Sequence, residues 1–306
     1  MDGLSEKAIL KWCLYNLREA IKGARVQWFF DFIMTATKVA IVTGGAAGIG
    51  FALTKHLVGR GYRVVIADID EERGVQAQQE IGNETLFIQC DVADWDSQAS
   101  LFKKAFEWGD GRIDLFAANA GVAEKQSIYE LPNDPEPAKP SLKLLEVNLV
   151  AIFYGLRLYR HYARISGTGG KMIVTSSSAG LYPFPIAPMY AAAKHGIVGH
   201  VRGAATKLLR DENVTLNTIC PGPVDTSIDS GMDTVIPRDK FTQLSVICAA
   251  YDKLIDENIT GQAVECSNTA FYLRPAIEYA DDCARFLNED MLDVEKFERF
   301  YDRPKI

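Results

Sequence analysis

Val39-Ala40-Ile41-Val42-Thr43-Gly44-Gly45-Ala46-Ala47-Gly48-Ile49-Gly50 is the stretch on which the fold turns. Val39–Thr43 is uncharged and dominated by β-branched residues, so it reads as a strand covered on both faces. The glycines that follow read as the turn from that strand into a helix. Such a turn needs glycine where a Cβ would hold the backbone away from a phosphate resting on the helix N-terminus. The spacing of Gly45, Gly48 and Gly50 is not the commonest dinucleotide fingerprint, and by itself it fits an ordinary tight turn equally well. Asp68 tips the balance. It ends the next β-rich run, 18 residues after Gly50, where a carboxylate accepts hydrogen bonds from adenine-ribose hydroxyls and repels a 2′-phosphate. With Ala46 and Ala47 in the turn and no basic residue there, NAD is expected in preference to NADP.

Outward from this turn, short apolar runs alternate with helical patterns, the signature of parallel strands joined by crossover helices. Strands are expected at 39–43, 63–67, 85–89, 113–117, 171–175, 214–219 and 262–266. Helices are expected near 48–59, 71–81, 95–107, 141–164, 189–211 and 239–257, with Ser141 as a candidate N-cap after the Pro132–Pro140 loop. The expectation is an α/β fold: one Rossmann-like, doubly wound parallel sheet with helices on both faces. It occupies residues 36–275 as an NAD-binding and catalytic domain, with a C-terminal helical tail over 276–306. Residues 1–35 form an N-terminal extension, with Leu10, Leu14, Leu17 and Ile21 at helical spacing. They are read either as an amphipathic surface helix or as an appendage ahead of a start at Met34.

Composition narrows the functions. The 306 residues are 48 % hydrophobic and carry a net charge of -7, with Lys and Arg dispersed, which argues against a nucleic-acid surface. No uncharged apolar run approaches the ~20 residues of a membrane span. The six cysteines, Cys13, Cys90, Cys220, Cys248, Cys266 and Cys283, lack metal-ligand spacing and read as reduced core thiols, so a cytoplasmic protein without a metal is expected. The four histidines read as structural.

Several polar groups fall at the carboxyl ends of the expected strands, the edge at which open α/β sheets bind ligands. They are Asp91-Val92, Asn119-Ala120-Gly121 and Ser176-Ser177-Ser178. Tyr190-Ala-Ala-Ala-Lys194 then sets a phenol and an ammonium four residues apart, on one face of a helix. Such a pair is ordinarily only helix surface. Beside these strand ends it gains meaning, because a cation at ~4 Å with an effective dielectric of ~20 favours the phenolate by ~4 kcal/mol, about three pKa units. The loop Leu181–Pro188 is apolar and aromatic, and with residues 227–258 as its other wall it suggests a hydrophobic pocket.

Taken together, Thr43-Gly44-x-x-x-Gly48-x-Gly50, Asp91, Asn119-Ala-Gly121 and Tyr190-x-x-x-Lys194 resemble the short-chain dehydrogenase/reductase family over about residues 36–270. The runs Ser-Ser-x-Ala-Gly-Leu and Tyr-x-x-x-Lys-His-Gly-Ile-Val-Gly are most like its 15-hydroxyprostaglandin dehydrogenase-type branch. The resemblance implies a tetrad of Ser177, which stands 13 residues before the tyrosine, with Tyr190, Lys194 and Asn148. Ser176 would then adjoin the cofactor, and Asn148 would hold a relay water. It further implies that Thr43, Gly44, Gly45, Gly48, Ile49, Gly50, Asp68, Asp91, Val92, Asn119, Ala120 and Gly121 line the cofactor. Tyr190, Lys194, Pro221, Gly222, Val224 and Thr226 would line it as well. The implied reaction is NAD-dependent oxidation of a hydrophobic secondary alcohol to a ketone, with Tyr190 as acid/base. NADH-dependent carbonyl reduction and a non-catalytic NAD-sensing module are the alternatives, and an isomerase or dehydratase is disfavoured by the turn spacing. A homodimer or homotetramer is expected, paired through helices 141–164 and 189–211 with Leu145, Leu149, Ile152, Val198 and Val201 at the contact.

Overall fold

The computed structural model describes residues 37–290, apart from 126–128, 130–135, 137–138 and 226–233. The expected extension over 1–35, the tail beyond 290 and Thr226 therefore lie outside the described residues. From Val39 onward the described residues form one compact unit. Its strands are β1 (Val39–Thr43), β2 (Arg63–Asp68), β3 (Thr85–Gln89), β4 (Leu115–Ala118), β5 (Gly170–Thr175), β6 (Val214–Pro221), β7 (Ala263–Ser267) and β8 (Ala270–Arg274). Between them run α1 (Gly48–Gly59), α2 (Glu71–Ile81), α3 (Trp95–Trp108), α4 (Lys143–Leu145), α5 (Ala151–Ser166), α6 (Pro188–Glu212) and α7 (Leu244–Asp256). A last short helix, α8 (Asp282–Arg285), follows β8.

The sheet order is β3-β2-β1-β4-β5-β6-β7-β8, with the first seven strands parallel and β8 antiparallel on the edge. Chain direction across the sheet reverses between β1 and β4, and their carboxyl ends open the crevice where doubly wound folds bind ligands. The expected doubly wound sheet is thus observed. One face is packed by α3, α5 and α6 through Leu101, Phe102, Leu156, Tyr159, Ile197 and Val201. The other is packed by α1 and α7 through Leu53, Leu57, Ile247, Tyr251 and Leu254. Each such side chain contributes about 1.5–3 kcal/mol when buried, which makes both strand ends and helix starts rigid supports for a site.

Five expectations change. β8 is additional: Asn268-Thr269 turns the chain back with Asn268 at φ 52°, the left-handed conformation that a two-residue hairpin favours. β4 begins at Leu115 rather than Ile113, because the Asp114 carboxylate, held by Arg112, takes the Val39 N–H at 2.8 Å in place of a ladder carbonyl. Ser141 lies one residue before the cap position, Leu142, and its hydroxyl accepts from Lys143 N–H at 3.4 Å. Within the expected wall over 227–258, of which 227–233 lie outside the described residues, helix α7 is a core element, since Val246, Ile247, Ala250 and Tyr251 are all buried under the sheet. Of the cysteines, Cys90, Cys220, Cys248 and Cys266 are buried, but Cys283 is exposed and is not a core thiol.

Candidate active site

Thr43, the last residue of β1, fastens the crevice together. Its buried hydroxyl accepts the N–H groups of Asn119 (3.0 Å) and Ala120 (3.2 Å), so the end of β4 is tied to the start of the glycine turn. The Asn119 amide returns the bond to Thr43 O at 3.1 Å, and its Oδ1 accepts from Thr175 Oγ1 at 3.1 Å, joining β5 to the same edge. Gly44 sits at φ +63°, and a Cβ on Gly50 would stand 2.0 Å from Gly44 O. Both positions therefore require glycine. Beyond them α1 starts at Gly48, with Ala47 at the cap offering no side-chain acceptor and no acid in the first turn. Its leading N–H groups and the positive end of its dipole suit a pyrophosphate. Thr43, Val92 and Ala120 also line a small cavity at this edge.

Asp68 closes the outer side of the turn. Its Oδ2 accepts from Ala46 N–H at 3.1 Å and its Oδ1 from Asp70 N–H at 3.2 Å, leaving lone pairs on both oxygens for ribose hydroxyls. Asp91, at the end of β3, is more occupied: Oδ1 takes Ala93 N–H at 2.9 Å, and Oδ2 stands 3.7 Å from Lys143 Nζ. On the other side of the crevice Pro221 ends β6, and Gly222 N–H bonds Cys266 O at 2.8 Å. Val224 turns its side chain into the α1/α7 core.

The serine run separates by geometry. Ser176 is buried and its hydroxyl donates to Lys194 O at 2.9 Å, which ties the end of β5 to α6. Ser177 is half-buried, extended, and caps a 3₁₀ turn over Ser178–Gly180, accepting from Ala179 N–H at 3.2 Å. Its own hydroxyl proton remains to donate. Gly180 is required behind it, because a Cβ there would meet Ser176 Oγ at 2.5 Å and Lys194 O at 2.6 Å.

Lys194 is only 3 % exposed, and its ammonium donates to Thr175 O at 2.9 Å. Burial lowers its pKa to about 8, against a smaller upward pull from Cys220. Nζ lies 5.4 Å from the centre of the Tyr190 ring, which also faces Phe184 at 6.3 Å. Asn148 stands in a π-type turn, Glu146–Val150, and is 1 % exposed. Such turns are frequent at functional sites. Its side chain bonds the backbone of one residue twice, accepting Val122 N–H at 2.8 Å and donating to Val122 O at 2.9 Å. Gly121, just before, is bare toward both groups: a Cβ would lie 3.3 Å from Asn148 Oδ1 and 3.6 Å from Lys194 Nζ. Two participants have no counterpart in the sequence reading. Thr175 holds both Lys194 and Asn119, and Glu124 accepts the Tyr190 N–H at 2.8 Å.

A phenol and a buried ammonium thus stand together, with a partly exposed hydroxyl just past the end of β5, and such groups are able to exchange a proton with a substrate oxygen. The family model described as short chain dehydrogenase matches residues 38–234. Human 15-hydroxyprostaglandin dehydrogenase (NAD+) is 40 % identical over 199 residues, 62 % of this chain and 70 % of that protein. The short-chain dehydrogenase/reductase prx7 of Penicillium rubens is 30 % identical over 266 residues, covering 77 % of this chain and 93 % of its own. Among solved structures, levodione reductase superposes with a TM-score of 0.66 at 25 % identity, over 76 % of this chain and 96 % of that one. The matched span runs from the strand before the glycine turn past Tyr190 and Lys194, and the chain belongs to the short-chain dehydrogenase/reductase family, an oxidoreductase family acting on CH–OH groups.

Proposed function

We propose that the protein oxidises a hydrophobic secondary alcohol to a ketone with NAD, Tyr190 exchanging the hydroxyl proton. The observation that carries this reading is the position of Lys194. Its buried charge is pinned at the end of β5, 5.4 Å from the Tyr190 ring, where it favours the phenolate. Ser177 would donate to the substrate oxygen and orient it, and Asn148 would hold the loop behind Lys194. Nicotinamide, when bound, supplies the hydride acceptor. The glycine turn, Asp91-Val92, Asn119–Gly121 and the 221–226 segment would hold it, with the Lys194 ammonium on its ribose.

The same groups serve carbonyl reduction in reverse. That second reading is favoured by solved relatives that are reductases by name, among them levodione reductase and an actinorhodin polyketide ketoreductase solved with NADPH. Apolar substrates suit the loop ahead of Tyr190, where Ile186 is 74 % exposed beside Tyr182 and Phe184. A panel of hydrophobic secondary alcohols and their ketones, followed by NADH absorbance, tests the assignment. Failure of every alcohol, with turnover of a ketone, would leave the reductase reading.

Asp68 supports NAD as the cofactor, as does the NAD+ in the human relative's name. Wild type should show a higher kcat/KM for NAD than for NADP. Asp68→Ala should narrow that ratio by about tenfold or more, one good hydrogen-bonded charge being worth ~1.5–3 kcal/mol. Equal use of both cofactors by wild type would refute the claim.

Self-association through α4–α5 and α6 remains our reading, on a smaller face than the sequence suggested. Ile152, Val198 and Val201 are buried in the chain's own core and cannot pair with a second copy. The face reduces to Leu145 and Leu149, which are half-buried, with exposed Phe153. Light scattering at micromolar concentration should report a dimer or tetramer, and a stable monomer would contradict it. No helix among the described residues is long and apolar enough to cross a membrane. The buried free cysteines suit a reducing compartment, and we place the protein in the cytoplasm.

A further inference from the structure

The first turn of α6 lacks the acceptor its backbone calls for. A helix leaves its leading N–H groups without intrahelical partners, and a Ser, Thr, Asp or Asn at the cap position ordinarily takes one of them. In α6 that position is Ala187, which has no acceptor, and Pro188 follows with no N–H to satisfy. Ala191 N–H closes the first helical bond onto Ala187 O at 2.9 Å. The Tyr190 N–H goes elsewhere: Glu124 Oε2 accepts it at 2.8 Å, across 66 residues of sequence.

Glu124 is held rather than dangling. It is half-buried, and its second oxygen, Oε1, is shut off from solvent with no hydrogen-bond partner. An unsatisfied carboxylate oxygen is unfavourable inside a protein, and a negative charge at a helix N-terminus offsets part of that. The loop that carries it is fixed at its other end, since Asn148 clamps Val122 through both N–H and carbonyl. Gly121 there packs against Asn148 and Lys194. Two residues beyond that clamp, Glu124 fastens the same loop to the backbone of Tyr190.

We propose that Glu124 is a positioning residue for Tyr190: reaching from the loop after β4, it caps α6 in place of Ala187 and fixes where the phenol stands relative to Lys194. This rests on the reading of Tyr190 as the proton-exchanging group. The hydrogen bond, not the charge, is the operative part, so a glutamine should replace Glu124 and an alanine should not.

Two measurements on the full chain separate the outcomes. The first is amide hydrogen exchange, followed on a peptide spanning residues 186–194. Glu124→Ala should speed exchange at the Tyr190 amide about tenfold or more, while Glu124→Gln stays within about threefold of wild type. The second uses the alcohol from the panel that wild type oxidises fastest. Glu124→Ala should lower kcat about tenfold with NADH affinity within twofold of wild type, Glu124→Gln should retain most of kcat, and Glu124→Ala should add nothing to Tyr190→Phe. Unchanged exchange in the alanine variant, an equal loss of kcat in both Glu124 variants, or additive losses with Tyr190→Phe would each overturn the proposal. Near-wild-type turnover by Tyr190→Phe alone would instead overturn the reading of Tyr190, and the exchange result would still decide whether Glu124 caps the helix.

Discussion

Tyr190→Phe is expected to lower turnover by about 10²–10⁴-fold, the range that a positioned acid/base group supplies, while the protein binds NADH as tightly as wild type. The substitution removes one oxygen and leaves the ring, whose neighbours are the Lys194 ammonium at 5.4 Å and Phe184 at 6.3 Å. Both contacts depend on the ring rather than the hydroxyl. The backbone is unaffected as well, because Tyr190 N–H bonds Glu124 through the main chain. The variant should therefore melt within a few degrees of wild type, and its loss should fall on kcat rather than on NADH affinity. Titration with NADH beside steady-state kinetics on a verified substrate checks both halves. Oxidation at a near-wild-type rate would remove the phenol from the chemistry and the mechanism with it.

How far such a site can be read from sequence depends on whether its parts are local. The glycine turn is local: Gly44 at positive φ and Gly50 packed against Gly44 O are demands of one tight bend, and they appear as glycines at fixed spacing. Tyr190 and Lys194 are legible for the same reason, since one helix turn brings them together. The seven parallel strands announce themselves because burial on both faces makes each a short apolar run. Long-range supports leave no such trace. Thr175 works through its carbonyl oxygen on Lys194 and its hydroxyl on Asn119, roles that a threonine at a strand end does not advertise. The difference between Ser176 and Ser177 is one of direction along β5, and three serines in a row conceal it. Glu124 had a weak signal. An alanine just before the helix, followed by proline, marks a helix start that must borrow an acceptor, but only the fold reveals the lender. Ile152, Val198 and Val201 misled because an apolar stripe reads alike whether it meets the chain's own sheet or a second copy.

Lys194→Met is expected to abolish most turnover, to weaken NADH binding, and yet to raise the stability of the free protein at neutral pH. The ammonium sits 3 % exposed with Thr175 O as its acceptor at 2.9 Å, and desolvation brings its pKa from 10.5 down to about 8. A folded-state value below the unfolded one means that the unfolded chain binds the proton more tightly, so stability rises with pH between about 8 and 10.5. Below pH 8 both states are protonated and the folded state bears the whole penalty. Two to three pKa units correspond to at most about 3–4 kcal/mol. Losing the bond to Thr175 O returns about 1 kcal/mol or more of that, and methionine packs a stem of similar length. A net gain of about 1–3 kcal/mol should raise Tm by several degrees at pH 7 in a domain of this size. The advantage should shrink toward pH 10, where wild-type Lys194 becomes neutral when folded. Thermal melts of both proteins without nucleotide at pH 7 and pH 10 make the test. A variant less stable than wild type at pH 7 would mean that the buried charge is repaid by its surroundings; a gain there, beside lost turnover, would mark Lys194 as a group that the fold holds at its own expense for the chemistry of Tyr190.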